Sequence, residues 1–273
     1  MNLLRRWLGA NLGRFWLGSF YLFLYLPLFF LVLFSFNSTR QDGVFTGFSL
    51  RWYAALVNDV HLVDGFLLSL KVALITATGA VVLGSFAAFV LVRYKKFTGR
   101  FMFSAMTNAP LVMPEVIIGM SLLLLMVALQ KTTGWPDRGI VTIILGHILL
   151  GMAYATVVIK SRLQEMDRAL EEAAMDLGCR PTQVFFLVTL PTIAPGIVAA
   201  WLLTFTLSFD DVVISEFLSG PGVTTLPQVI FGYARRGINP SIYAAATLLM
   251  LTVSMGIVIY SLLVAQRSNR KTP

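Results

Sequence analysis

Six stretches of the chain, residues 15–36, 66–92, 101–129, 140–159, 193–217 and 242–265, are apolar almost without interruption. Each reaches the roughly 20 residues with which a helix crosses about 30 Å of hydrocarbon. Composition excludes a soluble fold: 57% of the 273 residues are hydrophobic and 12% charged, too little polar surface to coat a globule. The expected fold class is therefore all-α integral membrane, with six transmembrane helices in a single domain covering residues 1–273. The first run is too long for a signal-peptide core and no small-residue cleavage site follows it, so it should stay attached as an anchor.

What lies between the runs narrows the chemistry. No G-x-x-x-x-G-K-[ST] phosphate loop occurs, so any ATP that drives this protein is bound by another chain. No nucleophile and base stand at a usable spacing, and an enzyme is not expected. Cys179 is the one cysteine, which excludes an intrachain disulfide, and His61 and His147 are far apart, which argues against a metal cluster. No cofactor and no metal are expected. The formal charge of +8 follows membrane topology. With the N-terminus inside, the inner segments carry Arg5, Arg6, Arg14, Arg93, Lys95, Lys96, Arg100, Lys160, Arg162, Arg168, Arg180, Arg267, Arg270 and Lys271. The outer segments carry only Arg40, Arg51, Lys131, Arg138, Arg235 and Arg236. This asymmetry explains the basic excess without nucleic acid and predicts both termini in the cytoplasm.

Residues 167–191 form the one long polar-faced stretch between runs, and they read as two short helices around a sharp turn. Asp167 can N-cap a helix whose first turn carries Glu171 and Glu172, where the positive helix end favours acids. Gly178 supplies the left-handed residue that ends it. Pro181 restarts the chain, and Thr182 can cap a second helix reaching Leu190 before Pro191. Ala173 and Ala174 leave a low surface on which a partner can seat, and the charge rule puts this elbow inside. An ordinary amphipathic loop helix is the alternative.

Two runs carry polar groups. The third is interrupted between Thr107 and Pro114, and broken helices in membranes usually line a pathway. Asn108, Glu115 and Gly119 would share a face if the helix were continuous. Glu115 fits either that pathway or a local role at the first turn after Pro114. The fifth run ends with Asp210, Asp211 and Glu216, and each charge at the bilayer centre costs about 2.5–3.5 kcal/mol unless it meets water, a cation or a partner. Thr204, Ser208, Asp211 and Ser215 lie within about 60° of one another on a helix, with Asp210 about 100° to one side. Edged by Phe205 and Phe209, that stripe suits a passage for cations. In the second reading Asp211 caps a helix break and Asp210 pairs with a basic residue of another subunit. His147 has no partner by spacing and reads as a hydrogen-bonded buried residue. Ser49 should start a short surface helix with Trp52 and Tyr53 at the interface, and Gly79, Gly84, Ala87 and Ala88 give the second run a small-residue face.

Glu172, Ala173, Ala174, Gly178, Leu190 and Pro191 stand at the spacing of the E-A-A-(x3)-G signature with its distal L-P, and Val188 takes the place where Ile is common. This resembles the permeases of binding-protein-dependent ABC importers. The stretches 108–125 and 203–247 look like the polyamine-importer permeases, nearer the putrescine type than the spermidine type. The resemblance implies a MetI-like type I importer permease of a bacterial inner membrane, moving a polyamine inward by alternating access. It implies ATPase coupling through Glu172, Ala173, Ala174, Gly178 and Pro191, and the partners would be an ATP-binding subunit dimer, a second, different permease, a periplasmic polyamine-binding protein and lipid. The pathway residues read above, Thr204, Ser208, Phe209, Asp210, Asp211 and Glu115, suit a flexible polycation. A permease for another cationic or small organic solute is the rival within that class. A cation- or proton-coupled secondary transporter is the rival outside it, although such a protein has no use for a docking elbow.

Overall fold

The computed structural model describes residues 2–39, 44–94, 96–235, 241–248, 250–251 and 254–255. The chain divides into two compact units, Met1–Val63 with Gly232–Pro273, and Asp64–Phe231.

In the first unit, helix α1 (Asn2–Ser35) is apolar enough to cross a membrane from Leu12 onward, and the chain itself buries none of that window. Phe15, Trp16, Phe23 and Phe29 are all exposed, so lipid or another subunit must cover them. The chain then folds back on Asn37, whose side-chain amide donates to Val44 O (2.8 Å) and accepts from Thr46 N–H (2.9 Å). Helix α2 (Arg51–Val57) is the short helix expected after Ser49, whose Oγ accepts from Arg51 N–H at 3.3 Å. Trp52 and Tyr53 direct their polar atoms to the same knot, at Asn37 O (2.7 Å) and Ser35 Oγ (2.7 Å). Residues 241–248 are helical. Most of the sixth expected run, residues 242–265, lies outside the described residues, as do Arg40, Lys95, Arg236 and the C-terminal basic group.

The second unit contains α3 (Val60–Arg93) from Asp64 onward, then α4 (Arg100–Val112), α5 (Glu115–Thr133), α6 (Ile140–Glu165), α7 (Ala169–Asp176) and α8 (Pro181–Val184). A π-turn, Phe185–Thr189, leads into α9 (Leu190–Phe209), followed by α10 (Val213–Leu218) and α11 (Leu226–Arg235). Helix α6 is central. Ile143, Gly146, His147, Leu150, Gly151, Ala155 and Ile159 are buried on it, against α3, α9 and α10. Small residues set the spacing. A Cβ added at Gly84 would lie 2.8 Å from Ala155 Cβ and 3.0 Å from Thr156 N, and one at Gly79 would lie 2.8 Å from Ile148 Cδ1. Ala88 is likewise fully buried, so the small-residue face of α3 serves close approach to α6.

Among the described residues, five helical stretches are long and apolar enough to cross a membrane: Leu12–Ser35, Val60–Arg93, Glu115–Thr133, Ile140–Glu165 and Pro181–Phe209. The third run is broken more narrowly than its sequence implies, at Met113 and Pro114 alone. Thr107 Oγ1 donates to Phe103 O (2.8 Å) and Asn108 Nδ2 to Ser104 O (2.7 Å), so these polar side chains bond within α4 rather than interrupt it. Because α4 and α5 are separate, Asn108 does not share a continuous helical face with Glu115 and Gly119.

Candidate functional site

The second unit holds every residue singled out above for coupling or passage. At the elbow the N-cap of α7 is Arg168 rather than Asp167, which lies one residue earlier and accepts from Ala169 N–H at 3.0 Å as a turn ahead of the helix. Gly178, at φ +90°, ends it in the left-handed region, with Gly178 N–H on Met175 O (2.9 Å) and Cys179 N–H on Ala174 O (3.1 Å). Pro181 opens α8, but Thr182 lies inside that helix instead of capping it. The cap is Gln183, whose Oε1 reaches back to Arg180 N–H at 2.8 Å. Nor does the second helix end before Pro191. It passes through the π-turn into α9, where the proline sits in the first turn and its missing N–H is least costly. Glu172, Ala173, Gly178 and Pro191 are exposed and Ala174 is half-buried. Leu170, Met175 and Leu177 are exposed beside them, Leu177 to 87%. They form an exposed apolar patch beside the exposed Glu172 and Asp176.

Glu171, next to the motif glutamate, does something else. Its carboxylate forms an ion pair with Arg93 at the end of α3 and accepts the Thr189 hydroxyl at 2.5 Å. Nothing in the local spacing distinguishes it from Glu172; only the helical turn, which aims consecutive residues about 100° apart, separates their faces.

The second site is the break between α9 and α10. Asp210 is the C-cap of α9, with its N–H on Thr206 O (3.1 Å). Asp211 turns inward. Its Oδ2 accepts from Ser215 N–H (2.8 Å) and its Oδ1 from Ile214 N–H (3.3 Å), so it caps α10. The same Oδ2 lies 3.0 Å from His147 Nε2, while His147 Nδ1 lies 2.7 Å from Ser208 Oγ. An ionised carboxylate only accepts, so the proton of this bond sits on Nε2. The side chains of His147 and Asp211 are 3% and 8% exposed. Thr204, one turn back, bonds Ala200 O (2.8 Å) and faces Gly151. The cavity among His147, Leu150, Gly151, Thr204, Leu207, Ser208 and Asp211 measures about 10 Å³, room for one water at most.

The expected site residues therefore separate. Thr204, Ser208 and Asp211 do form one stripe, and that stripe faces α6 with His147, whose pairing the spacing did not reveal. Asp210 is exposed on the other flank. Beside it, Trp201, Phe205 and Phe209 stack in a ladder, ring centroids 5.4 and 5.8 Å apart, and Phe66 meets Phe209 edge-on at 5.9 Å. Glu115 is exposed in the first turn of α5 and, among the described residues, has no hydrogen-bond partner for its carboxylate. One turn on, α5 meets α10, where a Cβ on Gly119 would lie 2.6 Å from Phe217 Cδ2. Among the described residues no three His, Cys, Asp or Glu side chains gather as metal ligands would.

The chain has close counterparts. It is 53% identical over 234 residues to the putrescine transport system permease protein PotI of Escherichia coli (strain K12), covering 85% of this chain and 83% of that one. It is 34% identical over 263 residues to the spermidine/putrescine transport system permease protein PotC of Haemophilus influenzae, covering 94% and 100%. The fold is shared with a bacterial ABC transporter involved in the import of the acidic polysaccharide alginate (TM-score 0.72, 16% identity, 100% and 98% covered). It is shared also with the MetNI methionine ABC transporter (TM-score 0.60, 19% identity, 76% and 95% covered). Residues 80–270 match the family described as binding-protein-dependent transport system inner membrane component. A chain built of membrane-length helices, with a helix-turn-helix elbow and a helix broken at paired acids, thus belongs to that family of inner-membrane importer permeases.

Proposed function

We propose that this permease carries polyamines, putrescine foremost, into the cytoplasm as one subunit of an ATP-driven importer. The observation that carries the proposal is its 53% identity to the Escherichia coli putrescine permease across 85% of the chain. Both termini and the elbow face the cytoplasm, where the Leu170, Met175 and Leu177 knob docks into a dimer of ATP-binding subunits. A second, different permease completes the passage, and a periplasmic binding protein delivers the substrate. ATP-driven closure of that dimer tilts the elbow and rocks the helices between inward-open and outward-open arrangements.

The passage runs past Asp210, Phe209 and Glu115, whose exposed carboxylates and half-buried ring can replace the hydration of an ammonium group. Asp211, Ser208 and Thr204 form the wall directly behind it. Binding here is weak, since a pathway must release what it receives.

Uptake of labelled putrescine and spermidine by cells carrying the complete system tests this. Wild-type cells should accumulate putrescine, and Asp210→Asn should raise the apparent KM about tenfold, the loss of one charge-assisted contact. Wild-type cells that take up neither amine would overturn the substrate. Unchanged kinetics in Asp210→Asn would remove Asp210 from the passage.

A further inference from the structure

Two adjacent glutamates open α7, and they face different partners. Glu172 lies exposed on the elbow's outer face, while Glu171 turns back onto its own chain. The Arg93 and Glu171 side chains are 15% and 16% exposed, so water screens their attraction less than at an open surface. Thr189, whose hydroxyl donates to the same carboxylate oxygen, is buried and closes the π-turn. The Arg93 guanidinium also lies 5.9 Å from the Phe89 ring, and Phe89 meets Phe185, the first residue of the π-turn, edge-on at 5.6 Å. The last turn of α3, the first turn of α7 and the foot of α9 thus meet in one contact. Backbone continuity ties α7 to α6 and to α8, but only side chains tie it to α3. Arg93 and Glu171 are 78 residues apart.

We infer that Glu171 is the positioning residue that makes α3 and the foot of α9 follow the elbow when the ATP-binding subunits move it. The inference rests on the importer reading above. Glu172 faces the partner and Glu171 passes the displacement on. A π-turn is a place where a helix changes its winding readily, and Thr189 held by Glu171 keeps that turn from absorbing the motion. Without the carboxylate, the elbow moves while α3 lags behind.

The test uses the complete transporter reconstituted with its ATP-binding subunits, in a Cys179→Ser background with spin labels at Tyr94 and Arg180. In the otherwise wild-type complex the distance between labels should hold within about 2 Å between nucleotide-free and ATP-bound states, because both ends move as one body. In Glu171→Gln it should change by more than that. In proteoliposomes, Glu171→Gln should keep stimulated ATP hydrolysis while lowering putrescine carried per ATP about fivefold or more. Arg93→Gln should do the same, and Arg93→Lys, which keeps the charge, should restore the ratio. An unchanged label distance in Glu171→Gln, or hydrolysis and transport falling in equal proportion, would overturn the inference. If Glu171→Gln does not reach the membrane, equal transport ratios for Arg93→Gln and Arg93→Lys would overturn it instead. Wild-type vesicles that hydrolyse ATP but carry no putrescine would overturn the substrate reading alone, because the label distances still decide the role of Glu171.

Discussion

Asp211→Ala should strip most of this protein from the membrane, whereas Asp211→Asn should leave its level close to normal. The alanine removes the acceptor for Ile214 N–H and Ser215 N–H and leaves His147 buried without its carboxylate. Each buried donor left without its acceptor costs about 1–3 kcal/mol, and the Ile214 and Ser215 amides and the His147 ring are all stranded. That is a large share of the roughly 5–15 kcal/mol by which a folded domain outlasts its unfolded chain. Asparagine can keep its one oxygen where Oδ2 accepts from Ser215 N–H and His147 and give up only the longer bond from Ile214 N–H (3.3 Å), so its cost should be nearer the ~1 kcal/mol of one ordinary hydrogen bond. Adding His147→Leu to Asp211→Ala should cost less than the two changes summed, since neither partner is then stranded. Immunoblots of membrane fractions and melting of the detergent-extracted complex measure all three. A normal level for the alanine variant would show that the carboxylate is not holding the break, and equally large losses for both would show that one amide oxygen cannot replace it.

The other large effect is steric. Gly84→Leu should abolish assembly, because a side chain there meets Ala155 Cβ at 2.8 Å, Thr156 N at 3.0 Å and Met152 O at 3.1 Å. Two of those three atoms are backbone and cannot rotate away. Overpacking of a core costs about 1–3 kcal/mol when neighbours can shift and more when they cannot. The control is Gly18→Ala in α1, where nothing lies within 4 Å and the backbone is helical. That change should be neutral or slightly stabilising, as glycine is the weaker helix former. Gel filtration of the extracted complex separates the outcomes, and a normal elution profile for Gly84→Leu would mean that α3 does not rest on α6 at this point.

These contacts also mark where reading the chain stops short. Asp167, Gly178 and Pro181 act within a few residues of themselves, so the elbow was legible from spacing. Its Gln183 cap was not, because the helix starts at Pro181, one residue before Thr182, and that start puts Gln183 at the third position, from which it reaches back to Arg180 N–H. The stripe of Thr204, Ser208 and Asp211 was legible as helical periodicity. Periodicity says which residues share a face and is silent on what that face meets. Here it meets His147, 64 residues away from Asp211, a pairing set by how α6 crosses α9. The break between Thr107 and Pro114 was overread for a related reason: Thr107 and Asn108 are polar by composition but bond their own helix, and Pro110, which lies inside α4, removes only one N–H.

The interruption at residues 210–212 also has an electrostatic consequence. A helix ends in a field of about half a charge at each terminus, negative where carbonyls are left over and positive where amides are. At this gap the negative end of α9 and the positive end of α10 stand side by side. Asp211 is consumed by the positive end through two amide bonds, and its field is largely cancelled there. Asp210 sits instead on the negative end, so carboxylate and helix add rather than oppose. Two neighbouring acids of one formal charge each therefore present unequal fields to their surroundings, and the exposed one is the stronger attractor of positive charge.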